Sequence, residues 1–575
     1  MPSSISDTQS VHDLRARVGK LIPITIGSRV SNYLRALPAD YPNHLAAGDE
    51  RQRRFPRRYL VVLVLLFFSF IPRALISMKV SSICPDGVLY IRLASELNEG
   101  HFQQAFREMN LNFFPVTLVV LKRLGLSWET GGTFWCVLMS SLVVLPLYGF
   151  VRRQFDDEAA FIACILYAVH PIFIQWSPEI MRDPTFWFLF TLALYCQWRM
   201  LTDLRAVFSF AAGFSITLAV LTRFEGLFLL IPLCLWTFWR YKASRVGREK
   251  IKIIVYWLIS LIVFPALILL VNITWLRHQS EWVFTRLAPV ERLFHWWTNA
   301  VSAELAGSEM HGRAISLVRM LEIYVPTMVK SLSPLFALLM LGGIWIWRRM
   351  WARRDHQPLF YTALLVMLAA WIQTWFAHEA SDRYFLPIVI MGSPFAALGL
   401  MALSQRILRL VERLNSAAFP RYVAVSAPIL IVALSGWAIA FSADFNRRNA
   451  ELQLAAWVRE TYGSKALLLG SEGTTPVVAY YAGVNPIILD KSLVSSAILE
   501  KAQNFKPDAI FLLATNRNNL RNPRPLIEQL TKLGYVEIET SNLPPGTNES
   551  LIVLKQGDAK NSASLGSKAE ATARK

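Results

Sequence analysis

Charged side chains are scarce in this 575-residue chain, and acidic ones are the scarcest. They make up 17% of the residues, against 54% that are hydrophobic, and the 59 lysines and arginines outnumber the 40 aspartates and glutamates. A soluble domain of this length needs a larger share of polar surface. The composition therefore excludes an ordinary soluble protein and favours a polytopic membrane protein.

Cysteine is also rare, and its distribution excludes several kinds of site. Of the five cysteines, only Cys84 lies outside the long apolar runs, so neither a disulfide framework nor a CxxC metal pair is visible. The histidines that stand alone show no ligand spacing such as HExxH. They are His170, His295, His311 and His378.

Long apolar runs dominate what remains. A helix needs about 20 mostly apolar residues to cross a hydrocarbon core about 30 Å thick. We count about eleven such runs, and the fifth and sixth are separated only by Arg223, which predicts a tight hairpin or a broken helix. The runs are 59–77, 133–150, 159–176, 184–200, 206–222, 224–240, 253–272, 325–347, 359–376, 384–404 and 422–441.

The loops between these runs alternate in positive charge. Six loops with 60 residues in total hold 23 lysines and arginines, whereas the other five hold 13 in 125 residues. Positively charged loops of membrane proteins face the cytoplasm, so we expect a cytoplasmic N-terminal segment over 1–58 and, with an odd number of spans, an outer C-terminus. The net charge of +19 follows from this asymmetry and does not indicate nucleic-acid binding. The first run lacks a signal-peptide pattern and is expected to be an uncleaved anchor.

Two outer loops carry further structure. Leu89, Leu93 and Leu97 recur at helical spacing, which predicts a helix lying in the membrane interface. Residues 113–126 are apolar but too short to span, and we interpret them as a second interfacial helix. The tryptophan-rich loop over 273–323 fits either the membrane–water interface or packing against the bundle.

The pattern changes after Ala450. Short β-rich runs alternate with helical stretches, which predicts a small α/β domain over 450–556, followed by a disordered tail over 557–575. That domain has no GxGxxG or P-loop that would indicate nucleotide binding. The predicted fold is mainly α, with a polytopic helical bundle over 59–441, outer interfacial helices and this extracytoplasmic domain. The β-rich runs are 466–470, 486–489, 509–514, 535–539 and 550–555.

Ionisable residues collect at the outer ends of the predicted spans. Such groups are expensive next to hydrocarbon, so a cluster of them is a functional-site hypothesis. The alternative is that each merely marks a helix end in the headgroup layer. The acids are Asp86, Glu179, Asp183, Glu225, Glu379 and Asp382, and the arginines are Arg182, Arg223 and Arg383.

A sugar carried on a polyprenyl phosphate would match this set of groups. Its phosphate lies at headgroup depth, and its lipid tail lies in the bilayer. Transfer to a hydroxyl or amine needs a carboxylate base for the proton of the nucleophile and cations for the departing phosphate. Arginine suits the second task because its fork pairs phosphate oxygens and stays charged.

Several motifs resemble one enzyme superfamily. Asp86 follows the first run, MRDP heads the fourth run, LTRFEGL opens the sixth, and SDRYFLP occupies 381–387. Together with the stretch 113–201 they resemble the GT-C glycosyltransferases of the protein O-mannosyltransferase and aminoarabinose-transferase type. The resemblance covers about 59–441 and implies a polyprenyl-phosphate sugar donor.

The resemblance also implies roles for individual residues. Asp86 would be the catalytic base or an essential first-loop acid. Many relatives have two adjacent acids there, and since the neighbour here is Gly87, Asp183 is the preferred candidate for the second role, followed by Glu179. Tyr90 would orient Asp86 or the sugar, or else anchor the helix at the interface. The expected substrate-binding residues are Tyr90, Arg182, Arg223, Glu225, Asp382 and Arg383, with the three arginines as phosphate ligands.

The resemblance leaves metal dependence open. Oligosaccharyltransferases among the GT-C enzymes hold a divalent cation with acids of two outer loops, whereas the mannosyltransferase-like branch generally does not. We expect neither a metal nor another cofactor.

We therefore expect an integral protein of a bacterial inner membrane, or of the endoplasmic reticulum, that glycosylates an extracytoplasmic protein, lipopolysaccharide or other envelope glycan. One alternative is a transporter or lipid flippase, although such proteins usually show internal repeats and charges near mid-membrane. Another is an envelope scaffold whose α/β domain binds a partner.

Overall fold

The computed structural model describes twelve segments of the chain. Residues before 55, most of the tryptophan-rich loop, and the predicted tail lie outside the described residues, as do Glu379, His295, His311 and His378. The described segments are 55–109, 112–274, 317–346, 354–377, 380–413, 421–442, 446–471, 473–489, 495–513, 524–539, 543–544 and 551–556.

Helices occupy each of the eleven predicted apolar runs. Several runs are divided between two helices, and the sixth begins with a 3₁₀ turn at Phe224–Leu229. The helices up to the end of the bundle are α1 (Phe55–Ser77), α2 (Pro85–Glu99), α3 (Phe102–Glu108), α4 (Phe113–Arg123), α5 (Trp128–Leu142), α6 (Val144–Gln154), α7 (Asp157–Val169), α8 (Pro171–Trp176), α9 (Asp183–Asp203), α10 (Ala206–Thr222), α11 (Leu230–Ala243), α12 (Gly247–Thr274), α13 (Leu317–Leu332), α14 (Pro334–Ile346), α15 (Gln357–Ala377), α16 (Leu386–Arg413) and α17 (Arg421–Phe441).

By length and composition, four helical segments of the described chain can cross a membrane, or five if one bent pair counts as a single span. Shorter apolar helices at Ala206–Thr222 and Ser426–Phe441 accompany them. The chain is an integral membrane protein, and the total of eleven spans stays a prediction. The four segments are Tyr59–Ser77, Trp128–Gln154, Gln357–Trp375 and Asp382–Val411.

The predicted run 325–347 is divided between α13 and α14, which meet at an angle of 82°. The bend lies at Ser333, whose φ is +55°. Pro334 follows, and a proline has no N–H for the helix and disfavours a helical conformation in the residue before it. The bend places Lys330 near the end of α13.

A second break separates α7 from α8 and is stabilised by a buried arginine. Because Pro171 has no N–H, the carbonyl of Tyr167 has no helical donor four residues on. Arg73 of α1 donates to the carbonyls of Ala168 (3.0 Å) and Tyr167 (3.5 Å) and to Ser140 Oγ (3.0 Å). The guanidinium therefore caps α7 and fixes the direction in which the chain continues toward Asp183.

The segment between α1 and α5 contains the two helices predicted there, α2 and α4. Proline at the first position and an acid, Asp86, in the first turn both favour the start of α2. The buried face of α2 includes Tyr90, whose ring meets the edge of Phe114 in α4 at a centroid distance of 5.2 Å. The pair forms the centre of a small hydrophobic core outside the main bundle.

The C-terminal residues form one five-stranded mixed sheet with helices on both faces. The strand order is β2-β1-β3-β5-β4, with β1 parallel to β2 and β3, and β5 antiparallel to β3 and β4. Each predicted β-rich run overlaps one strand. The elements are α18 (Asn446–Tyr462), β1 (Leu467–Ser471), α19 (Thr475–Ala482), β2 (Asn485–Leu489), α20 (Ser495–Phe505), β3 (Ala509–Leu513), α21 (Arg524–Lys532), β4 (Tyr535–Glu537) and β5 (Leu551–Gln556).

Candidate active site

Four distant chain segments meet at one end of the bundle. Asp86 begins α2, Asp183 begins α9, Arg223 follows α10, and Arg383 lies in a 3₁₀ turn, Asp382–Phe385, that precedes α16. Three of these residues lie at helix starts and one lies just after a helix end, and in an antiparallel bundle such starts and ends meet on one face. The arrangement brings together acids and arginines that the sequence predicted to share a face.

Gly87 allows the helix that carries Asp86 to approach the loop before α9 closely. A Cβ on Gly87 would lie 3.2 Å from the carbonyl oxygen of Ile180, and one on Gly132 of α5 would lie 2.9 Å from Ile180 Cγ2. Ile180 is thus held between two glycines, two residues before Arg182. A side chain at position 87 would press against this loop, so an acid there would require the loop to shift.

Asp86 and Asp183 share one arginine. Arg383 Nη1 lies 2.5 Å from Asp86 Oδ2 and 3.9 Å from Asp183 Oδ2. The two carboxylates differ in accessibility, because the Asp86 side chain is 40% exposed and that of Asp183 is 2% exposed. Asp86 is therefore the carboxylate that a substrate can reach, while Asp183 is enclosed.

Arg223 neutralises the enclosed carboxylate. It forms a buried ion pair with Asp183 and a two-pronged pair with Glu225, in which Arg223 Nε lies 3.2 Å from Glu225 Oε2. The Tyr384 ring lies 5.1 Å from the guanidinium carbon of Arg223 and 5.6 Å from that of Arg383, within the range of cation–π attraction. The network orders the side chains around Asp86.

Arg182 is different from the other two arginines. Its side chain is partly exposed and forms no hydrogen bond or ion pair with another residue of the described segments. It lies near Tyr90 and Glu225, where its charge lowers the pKa of both groups, so it belongs to the same cluster. Arg182 is therefore a cation at the site with capacity for an external anion.

Asp382 forms a neighbouring pair of contacts. Its carboxylate accepts a hydrogen bond from Trp176 Nε1 (3.0 Å) and lies 2.9 Å from Lys330 Nζ. Lys330 is 67% exposed, whereas Asp382 is 8% exposed. Trp176 links this pair to the network, since its ring lies 5.9 Å from the guanidinium carbon of Arg383.

Tyr90 and Glu179 are both buried. Tyr90 is 3% exposed, and burial raises its pKa to about 12, while the nearby arginines Arg182 and Arg383 oppose the rise. Tyr90 therefore stays protonated at neutral pH. Glu179 is 3% exposed in the loop between α8 and α9.

The described residues contain no group of three or more histidine, cysteine, aspartate or glutamate side chains placed to hold a metal ion. The acids at the site alternate with arginines, and Asp86 and Asp183 both face Arg383. A divalent cation between these two carboxylates would meet a guanidinium at the same position.

Sequence reasoning missed three residues of this site. Lys330 could have been identified from the sequence, because a lysine inside an apolar run is unusual and indicates function. Trp176 and Tyr384 gave no comparable signal, since tryptophan and tyrosine are common at membrane interfaces for other reasons.

Residues 119–269 match the family described as dolichyl-phosphate-mannose-protein mannosyltransferase. A search among curated proteins found no match.

Three solved structures of two proteins are similar across most of the chain. ArnT from Cupriavidus metallidurans has 13% sequence identity and a TM-score of 0.53 in its apo state, over 87% of this chain and 97% of that one. In its complex with undecaprenyl phosphate, ArnT has the same identity and a TM-score of 0.52, over 87% of this chain and 98% of that one. The Archaeoglobus fulgidus oligosaccharyltransferase, in complex with zinc and sulfate, has 16% identity and a TM-score of 0.50, over 79% of this chain and 67% of that one. The chain therefore has the fold of the GT-C glycosyltransferases, and the predicted resemblance to that superfamily is confirmed.

Proposed function

We propose that this protein is a membrane glycosyltransferase that moves a sugar from a polyprenyl-phosphate-linked donor to an extracytoplasmic acceptor. The observation that carries the proposal is the accessible Asp86 carboxylate, 2.5 Å from Arg383 and close to the partly exposed Arg182. A carboxylate and two cations are the groups that transfer from a lipid-linked phosphate to an acceptor requires. The similarity to ArnT, which has been solved with undecaprenyl phosphate, supports a donor of this lipid class.

The reaction is a single displacement. Asp86 takes the proton of the acceptor hydroxyl or amine, whose oxygen or nitrogen bonds to the anomeric carbon of the sugar. The bond between that carbon and the phosphate oxygen breaks, and polyprenyl phosphate leaves with the bonding electrons. One negative charge thereby passes from Asp86 to the phosphate.

Arg383 would stabilise this negative charge, first on the Asp86 carboxylate and then on the departing phosphate. It pairs with Asp86 through Nη1, and a guanidinium can hold a phosphate with its other nitrogens at the same time. When Arg383 donates hydrogen bonds to a phosphate, its pairing with the Asp86 carboxylate weakens. Asp86 then becomes a stronger base. Donor binding would in this way activate the base.

Arg182 would bind the phosphate most directly because it has no partner to give up among the described residues. Arg223 already holds two carboxylates in a buried network, so its main role would be to keep Asp183 and the turn with Glu225 in place. The burial of Tyr90 favours packing beneath Asp86 over direct contact with a sugar. Lys330, exposed next to Asp382, adds a cation for the phosphate as it approaches.

We place the protein in a bacterial inner membrane, with a cytoplasmic N-terminus and an extracytoplasmic α/β domain. The acceptor is a protein, lipopolysaccharide or another envelope glycan, and the reaction needs no resident metal. The charge asymmetry of the loops supports the orientation. The alternation of acids and arginines at the site supports the absence of a metal.

A deletion strain tests this function and identifies the sugar at the same time. Lipids extracted from such a strain and analysed by mass spectrometry are expected to contain a polyprenyl-phosphate sugar that accumulates and that disappears on complementation. Addition of the purified protein to that extract, with envelope acceptors, should release polyprenyl phosphate. Movement of the lipid across a vesicle membrane without cleavage of the sugar–phosphate bond would instead identify a flippase.

A further inference from the structure

The α/β domain contacts the first outer loop directly beside Asp86. Ile83 N donates to Tyr481 Oη of α19 at 3.1 Å, and Ser82 Oγ donates to Glu451 of α18 at 3.3 Å. Tyr480 and Tyr481 also pack against the small core that contains Ile83. The domain therefore touches the chain three residues before the proposed base.

The Tyr481 hydroxyl uses both of its hydrogen-bonding functions. It accepts from the backbone N–H of Ile83 and donates to Glu129 Oε2 at 3.2 Å, while Tyr480 donates to the other oxygen of Glu129 at 3.3 Å. A backbone N–H can only donate and a carboxylate can only accept, so a neutral phenol is needed between them. Burial, together with the Glu129 charge, raises the pKa of both tyrosines, that of Tyr480 to about 12, and this keeps the phenols neutral at physiological pH.

The two groups joined by Tyr481 lead to two different parts of the site. Ile83 precedes Cys84, the N-cap residue of α2, and Asp86 lies in the first turn of that helix. Glu129 lies in the first turn of α5, and Gly132 in the next turn packs against Ile180, two residues before Arg182. One hydroxyl from the α/β domain thus connects the backbone that places the base with the helix that supports the cation loop.

We propose that Tyr481 is a positioning residue, through which the α/β domain fixes the backbone before α2 and holds Asp86 in its catalytic position. This inference rests on the proposed function, since it gives Asp86 the role of base. Phenylalanine at 481 would keep the ring packed but remove both polar contacts. The Ile83 N–H would then lose its partner, and the start of α2 would be free to shift.

Hydrogen exchange in the full-length protein in lipid nanodiscs tests the contact without any substrate. Tyr481→Phe is expected to accelerate amide exchange in the peptide that covers residues 80–90. Tyr480→Phe is the matched control, because it removes a contact to Glu129 but leaves the Ile83 N–H bonded, and its exchange should stay close to that of the wild type. Unchanged exchange in Tyr481→Phe would overturn the inference whether or not the protein is a transferase.

A kinetic comparison tests the positioning role. With the lipid-linked donor extracted from a deletion strain, Tyr481→Phe should lower the turnover rate about 10-fold, because small displacements of a catalytic group are costly. Its affinity for undecaprenyl phosphate and its melting temperature should match those of Tyr480→Phe. Accelerated exchange together with unchanged turnover would overturn the positioning role, whereas a wild-type protein that transfers no sugar would overturn the proposed function itself.

Discussion

Arg383 Nη1 lies 2.5 Å from Asp86 Oδ2, although 297 residues separate the two in the chain. The pair joins the start of α2 to the turn before α16 and leaves the carboxylate partly exposed. Arg383 therefore holds Asp86 and is also the arginine that we propose binds the donor phosphate. The Asp86 carboxylate and the donor phosphate would thus compete for the guanidinium of Arg383.

Replacement of Arg383 by glutamine should weaken the binding of undecaprenyl phosphate. Loss of one charge-assisted hydrogen bond costs about 1.5–3 kcal/mol, or roughly a 10- to 100-fold rise in Kd. Native mass spectrometry of the purified protein measures this affinity. Arg123→Gln serves as the control, because Arg123 is an exposed arginine of α4 that contacts Asn98, and it should leave the affinity unchanged. Equal affinities in the two variants would remove Arg383 from the phosphate site.

Replacement of Asp183 by asparagine should destabilise the fold. Its carboxylate is 2% exposed and pairs with the buried Arg223, and removal of one partner of a buried pair costs roughly 3–5 kcal/mol. Thermal unfolding in detergent should show a clear fall in melting temperature. Asp203→Asn, at the other end of α9, breaks pairs with Arg153 and Arg199 that are more exposed, and it should lower the melting temperature less. A larger effect at Asp203 would contradict the assignment of Asp183 as the centre of the network.

Replacement of Lys330 by glutamine should raise the KM for the lipid-linked donor several-fold and leave kcat nearly unchanged. Lys330 is exposed and would attract the phosphate before the reaction rather than stabilise it in the transition state. The effect should shrink as the salt concentration rises, because exposed charges are screened. Lys330→Arg retains the charge and should restore the KM. A fall in kcat at constant KM would instead place Lys330 at the reacting atoms.

The titration of Tyr480 should be displaced to high pH. Its pKa is raised to about 12 by burial and by Glu129, from about 10 for a free tyrosine. The contact with Glu129 therefore stabilises the folded protein fully below pH 10, and this contribution is lost as the pH rises from 10 to 12. Difference absorbance at 295 nm between wild type and Tyr480→Phe isolates this residue. A midpoint near pH 10 would show that the hydroxyl is solvated and that the contact is absent.

The positions of the helices and the sharing of one face by the acids and arginines could be predicted from the sequence. Hydrophobic length sets the elements, and alternation of direction in an antiparallel bundle gathers every second loop at the same end. The fifth-to-sixth junction at Arg223 is one example. The sequence predicted a tight hairpin or a broken helix there, and in the structure the helix ends at Thr222 and a 3₁₀ segment begins at Phe224.

Individual pairings could not be predicted. Arg383 with Asp86, and Arg223 with Asp183, depend on the directions in which side chains leave four different elements, and hydropathy does not encode those directions. The bend at Ser333 could have been suspected from Lys330 and Pro334 within one apolar run. The contact of Tyr481 with Ile83 had no sequence signal, because a tyrosine in a short helix of the α/β domain has many ordinary roles.

The most direct test of the account is the turnover of the lipid-linked donor by Asp86→Asn. Asparagine keeps the size of the side chain but cannot accept the acceptor's proton, and general-base catalysis contributes about 10²- to 10⁴-fold to the rate. The account predicts a loss of that size in sugar transfer, measured by mass spectrometry of released polyprenyl phosphate. The same variant should fold normally and bind undecaprenyl phosphate at least as tightly as the wild type, since Arg383 is released from its carboxylate. Transfer at the wild-type rate by a well-folded Asp86→Asn variant would contradict the account.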